Sequence, residues 1–95
     1  MSLTDITSRQ AILDAIAECD RLGRPAFLQR YGFRPARDYH LVEGGRVYDS
    51  KAIVGVAHKY QFPAHGPLRA TDFSGGFATV QRLLESLGFT LRVTK

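Results

Sequence analysis

Three histidines, one cysteine and two glycine-bearing turns are the groups in this 95-residue chain with chemistry to offer. Their spacing limits what that chemistry can be. His40, His58 and His65 fall on a predicted strand, a predicted helix and a loop, and no two share the short separation that places metal ligands on one helix. A metal-assisted nuclease site needs clustered histidines, usually with an asparagine to orient the base, and the chain has no asparagine. The lone thiol, Cys19, lies on the apolar stripe of a predicted helix, where cysteine behaves as a small hydrophobe. It can close no internal disulfide and build no Cys-based zinc site. Neither Glu43-Gly44-Gly45-Arg46 nor Asp72-Phe73-Ser74-Gly75-Gly76 matches a P-loop or a dinucleotide fingerprint. The expectation is a domain without a catalytic site, metal or cofactor of its own.

Anion binding is better supported. In Tyr48-Asp49-Ser50-Lys51-Ala52, Asp49 or Ser50 is placed to cap a helix, with Lys51 in its first turn, where the positive helix end disfavours a cation. A bound phosphate reverses that penalty, and the first-turn amides, the Ser50 hydroxyl and the Lys51 ammonium would then form one site. The alternative is a Lys51 that extends into solvent or pairs with Asp49 or Glu43. Ser74, Gly75 and Gly76 precede another helix and could turn consecutive amides toward an anion, or simply make a tight turn. Thr79, Gln81 and Arg82 lie on or near the polar side of that helix, in reach of a nucleic-acid backbone or merely solvated. Tyr31, Tyr39 and Tyr48 interleave with Arg30, Arg37 and Arg46, which suits either stacking on bases or core packing.

Charge points to the same partner class. The formal net charge is +4, and the pI is about 9.6. Ten of the 13 basic residues are arginine, whose planar fork bonds phosphate and guanine edges in bidentate fashion. Arg21, Arg24, Arg30, Arg34 and Arg37 follow one another with no acid between. A polyanion is the leading partner. The residues expected to contact it are Arg34, Arg37, Tyr39, Arg46, Tyr48, Ser50, Lys51, Ser74, Gly75, Gly76, Thr79 and Arg82.

The elements that must position these groups are legible from periodicity. A Thr7-Ser8-Arg9-Gln10 capping box opens a helix over about residues 8 to 22, with Ile12, Leu13, Ile16 and Cys19 inward, Asp14, Glu18 and Arg21 elsewhere, and Gly23 as a left-handed stop. Pro25 opens a short second helix that Gly32 ends. Tyr39 to Val42 and Arg46 to Tyr48 flank Glu43-Gly44-Gly45 as a hairpin. A third helix follows, with Ile53, Val56, Ala57 and Tyr60 inward. After an irregular stretch from Gln61 to Thr71, Asp72 or Ser74 opens a fourth helix with Phe77, Val80, Leu83, Leu84 and Leu87 on its face. Phe89 to Val93 alternates like a half-buried strand. The order ααββααβ predicts an α+β domain: a small antiparallel sheet of the hairpin and the C-terminal strand, packed with about four helices, a winged-helix-like arrangement being one version. Which hairpin strand the last one joins is open.

Length suits one domain over residues 1–95, and 44% hydrophobic residues suffice for one core. No apolar run approaches a membrane span and the start lacks a secretory pattern, so a cytoplasmic location is expected.

Taken together, Phe27-Leu28-Gln29-Arg30-Tyr31-Gly32-Phe33, Arg37-Asp38-Tyr39-His40-Leu41-Val42, the run from Gly45 to His58, Leu68, Asp72-Phe73-Ser74-Gly75-Gly76 and Leu84-Glu85-Ser86-Leu87-Gly88-Phe89 make the chain resemble the N-terminal head domain of ScoMcrA-like HNH restriction endonucleases. The resemblance implies a prokaryotic module placed ahead of modification-reading domains and an HNH nuclease, in enzymes that restrict methylated or phosphorothioated DNA. The expected function is therefore a non-catalytic accessory domain that binds double-stranded DNA and senses its modification, beside an HNH nuclease in cis or in trans. The alternative is a protein-interaction module that forms a homodimer or docks the nuclease. An enzyme in its own right is the third reading.

Overall fold

The computed structural model describes residues 2–73 and 77–93. After a 3-10 turn at Leu3–Asp5, the elements are α1 (Arg9–Leu22), α2 (Arg24–Tyr31), β1 (Tyr39–Glu43), β2 (Arg46–Asp49), α3 (Ser50–Gln61), α4 (Phe77–Ser86) and β3 (Thr90–Val93). The order is ααββααβ, and the fold is α+β as expected. The strands run β2-β1-β3, antiparallel throughout, so the C-terminal strand joins β1. Glu43 pairs with Arg46, leaving Gly44 and Gly45 as a two-residue turn with φ of 59° and 76°. Positive φ at both positions is what a tight hairpin demands and what glycine supplies without strain. Leu41 lies opposite Tyr48 on one side and Leu91 on the other, and this row is the sheet's contribution to the core.

The largest interface in the core is between α1 and α3. The expected stripe of α3 was too narrow: every residue from Ala52 to His58 is buried, because α3 touches α1, α2, α4 and both strands of the hairpin. A helix buried on several sides is apolar nearly all round. Gly55 marks its tightest contact. A Cβ there would stand 2.5 Å from Phe33 Cζ and 2.9 Å from the Leu68 carbonyl oxygen, while the Leu68 N–H donates to the Gly55 carbonyl at 2.9 Å. Any side chain at this position would lift the 62–72 segment off the helix.

Three local expectations are corrected. The α1 cap is Ser8, whose Oγ accepts from the Ala11 N–H at 3.1 Å, and not Thr7. Gln61, at the far end of α3, receives the Thr7 and Ser8 amides on its Oε1 and donates from Nε2 to Thr7 Oγ1, while Gln10 turns to Asp14. A long-range clamp replaces the local box. Gly23 joins α1 to α2 at φ 86° and ψ 149°, so it is extended in ψ and not left-handed helical. Asp72 does not open α4; its carboxylate accepts from the Arg69 N–H at 2.7 Å, and α4 starts at Phe77.

A fourth correction concerns Glu18, expected away from the apolar face but only 2% exposed. Lys59 Nζ donates to its Oε1 at 2.8 Å, the Tyr60 hydroxyl donates to Oε1 at 2.5 Å, and the Tyr31 hydroxyl donates to Oε2. Lys59 also donates to the Tyr31 oxygen at 2.6 Å. Burial works to raise the Glu18 pKa, yet the bonds from Lys59, Tyr31 and Tyr60 together outweigh it and hold the group at about 2. The network ties α1, α2 and α3 together through one ionised carboxylate. No described helix is long and apolar enough to cross a membrane.

Candidate nucleic-acid interface

β2 runs directly into α3, so the junction Asp49-Ser50 is held by the sheet on one side and by the most buried helix on the other. Over this junction folds the 32–38 segment. The result is a cleft of about 240 Å³ lined by Arg34 to Tyr39, by Asp49 to Ala52 and by Val80 of α4. Five of the predicted contact residues meet here: Arg34, Arg37, Tyr39, Ser50 and Lys51.

The helix start is open in a specific sense. Asp49 occupies the cap position, but its side chain makes no capping bond. It turns instead to Arg24, taking Nε at 2.7 Å and Nη2 at 2.8 Å, and to the Ala36 N–H at 2.8 Å. Burial works to raise the Asp49 pKa, but the Arg24 and Ala36 hydrogen bonds and the Arg24 charge hold it below the ordinary carboxylate value. The amides of the first turn of α3 are thereby left without a side-chain cap, the condition in which a helix N-terminus receives an anion. Ser50 Oγ donates to the Tyr39 carbonyl at 3.3 Å. Lys51 neither extends free into solvent nor pairs with Asp49 or Glu43; its Nζ donates to the Ala70 carbonyl at 3.1 Å and stands 5.0 Å from the centre of the Phe73 ring. An ammonium has three donors, so a single bond to Ala70 fixes the group without exhausting it.

The remaining predicted residues lie elsewhere. Arg46 and Tyr48 line a neighbouring cleft with Asp20, Gly23 and Arg24, on the other side of Asp49. Tyr48 is buried in the core, its hydroxyl donates to Asp20 at 2.7 Å, and burial together with that acceptor pushes its pKa up to about 12. Its ring has no face for a base. Arg46 is exposed and reaches Asp20 at 3.4 Å. Thr79 and Arg82 line a third groove, against Leu3, Ile6 and Thr7. Ser74, Gly75 and Gly76 fall outside the described residues. The acid-free arginine run is also interrupted in space, since Asp49 comes in from β2 to pair with Arg24.

Of the titratable groups elsewhere, His58 and Cys19 lie in the core. His58 is buried, donates from Nδ1 to the Gly66 carbonyl at 2.7 Å and packs on Phe62. Among the described residues no three His, Cys, Asp or Glu side chains are grouped to hold a metal ion. Burial first, then the charges of Asp20 and Asp49, pushes the Cys19 thiol up, which keeps it protonated and unreactive. Two features escaped sequence reasoning, the Glu18 network and the Arg24–Asp49 pair. For Glu18 the signal was positional: it sits three residues after Ala15 and four before Leu22, on the edge of the apolar stripe. For Arg24 and Asp49, 25 residues apart, no local signal existed.

Residues 4–93 match the family model of the ScoMcrA-like N-terminal head domain. The chain belongs to that family. No curated protein matches the chain. Among solved structures, this head domain is similar to the type IV phosphorothioation-dependent restriction endonuclease ScoMcrA, at 39% sequence identity and a TM-score of 0.65. The match covers 93% of the head domain and 13% of that endonuclease.

Proposed function

We propose that this head domain is a non-catalytic accessory module that grips double-stranded DNA by its phosphates, within a cytoplasmic prokaryotic system that restricts modified DNA. The observation that carries the reading is the cleft at the start of α3, where Arg34, Arg37 and Lys51 surround a helix N-terminus whose cap residue is turned away. A phosphate seated there meets backbone amides, a positive helix end and cationic side chains at once. These are contacts that position a protein on a duplex without reading its sequence. Reading a methylated or phosphorothioated site would require adding to them groups that distinguish the modification.

The family relationship supports the setting: the solved relative is a phosphorothioation-dependent restriction endonuclease, and the chain matches its head and not the whole. In this reading an HNH nuclease acts beside the domain, in cis or in trans, and supplies the cleavage. Docking on that nuclease, or homodimerisation, is less well supported. The large hydrophobic side chains exposed among the described residues are Val47 at 43% and Val93 at 53%, well short of an extended apolar patch.

Titration of a short plain duplex into the isotope-labelled domain, followed by amide NMR, tests the placement. The expected shifts concentrate at residues 34–39 and 50–52. Shifts confined to the Arg46–Tyr48 cleft or to the groove around Arg82 would move the interface away from α3.

A further inference from the structure

The phosphate cleft just proposed is the starting point here, and the question is what sets its charge. Two acids line the cleft, Asp38 in the 32–38 segment and Asp49 at the cap position of α3; Asp49 is 5% exposed, and its carboxylate, turned toward Arg24, lies beside the first turn that would receive a phosphate. A carboxylate in that place repels the ligand the cleft is otherwise built to hold. Arg24 offsets it. The guanidinium comes from the first residue of α2, lines the neighbouring cleft and not this one, and holds both carboxylate oxygens in the bidentate geometry of the strongest charge-assisted pairs. The same carboxylate accepts from the Ala36 N–H, in the middle of the segment that brings Arg34 and Arg37 to the rim.

We propose that the Arg24–Asp49 pair is an affinity-setting charge balance for the cleft, an inference that rests on the phosphate reading above. Arg24 is a positioning residue that acts on a bound phosphate through Asp49, without touching the nucleic acid. Charge arithmetic then orders the variants. The native pair sums to zero, Arg24→Gln leaves one negative charge behind the phosphate, Asp49→Asn leaves one positive charge, and the double variant sums to zero again. Asparagine keeps a carbonyl oxygen for the Ala36 amide, so the rim stays tied while the charge goes.

The experiment measures affinity of the four proteins for a plain duplex at low, fixed salt, with thermal unfolding recorded for each. Arg24→Gln is expected to bind about five- to tenfold more weakly, Asp49→Asn more tightly by a similar factor, and the double variant within about twofold of the native protein. A merely structural pair would weaken binding in all three variants, and that result overturns the inference; so does equal binding by all four. A loss in Arg24→Gln that Asp49→Asn fails to restore shows that Arg24 touches the duplex itself, and it overturns the inference as well. If an Asp49 variant does not fold, Arg24→Lys carries the test with Arg24→Gln. Lysine should bind as the native protein does, while glutamine weakens binding and leaves the slope of log affinity against log salt unchanged. A slope lower by about 1 would mean a lost phosphate contact and contradict the inference. A native protein that fails to bind DNA would overturn the phosphate reading itself, an outcome distinct from any pattern among the variants.

Discussion

Glu18→Ala is expected to lower the unfolding free energy by about 3–5 kcal/mol, the cost of breaking a buried pair and stranding its partners. Lys59, Tyr31 and Tyr60 all donate to this one carboxylate, and removing it leaves the two hydroxyls without their acceptor and the Lys59 ammonium with the Tyr31 oxygen alone, its counter-charge gone. Urea unfolding at pH 7 measures the effect. Acid titration gives an independent check with a definite sign. The folded-state pKa of about 2 lies below the ordinary value of 4.5, so the unfolded chain binds the proton first as pH falls. The stabilisation is complete above about pH 4.5 and lost progressively toward pH 2, amounting to about 3 kcal/mol for a shift of this size. Glu18→Gln should flatten the stability profile in that window and nowhere above it. A native profile as flat as the variant's would mean that the network is not ionised as described.

The second large effect concerns binding. Arg34→Ala combined with Lys51→Ala is expected to weaken duplex affinity tenfold or more, roughly uniformly across DNA sequences, and to lower the salt slope by about 1 for each lost phosphate contact. Arg34 is exposed, so its loss should leave stability unchanged. Lys51 has its bond to the Ala70 carbonyl, whose removal should cost about 1 kcal/mol. The variant therefore stays folded, and a binding loss can be read as such. Arg46→Ala is the matched control, since Arg46 lies in the neighbouring cleft beside Asp20. Equal losses from Arg46→Ala and from the double variant would spread the interface over both clefts.

What the sequence disclosed of the fold was what periodicity and turn chemistry encode. Ile12, Ile16 and Cys19 in α1, the paired glycines of the hairpin and the junction of strand and helix at Asp49-Ser50 are all local patterns, and the structure has them. The errors arose where a distant residue won a local competition. Gln61 took the amides at the start of α1 from a box that Thr7 and Gln10 were spaced to form. Arg24 and Ala36 took the carboxylate of Asp49 from the amides of α3. Glu18 was placed off the apolar stripe, where acids usually lie, whereas Lys59 and two tyrosines from other helices make its burial tolerable. The candidate site followed the same rule. Ser50 and Lys51 could be found from their place at a helix start, and Arg34 and Arg37 from their charge, but sequence could not separate them from Tyr48, which alternates with arginines just as Tyr39 does and yet points into the core.

The claim that this domain holds DNA by its phosphates is tested most directly by the affinity of the isolated chain for a plain duplex at about 50 mM and about 200 mM salt. Measurable binding is expected at the lower concentration and a steep fall at the higher, because cations on the DNA compete for the sites that Arg34, Arg37 and Lys51 would occupy. No binding at the lower concentration, or binding indifferent to salt, would contradict the claim.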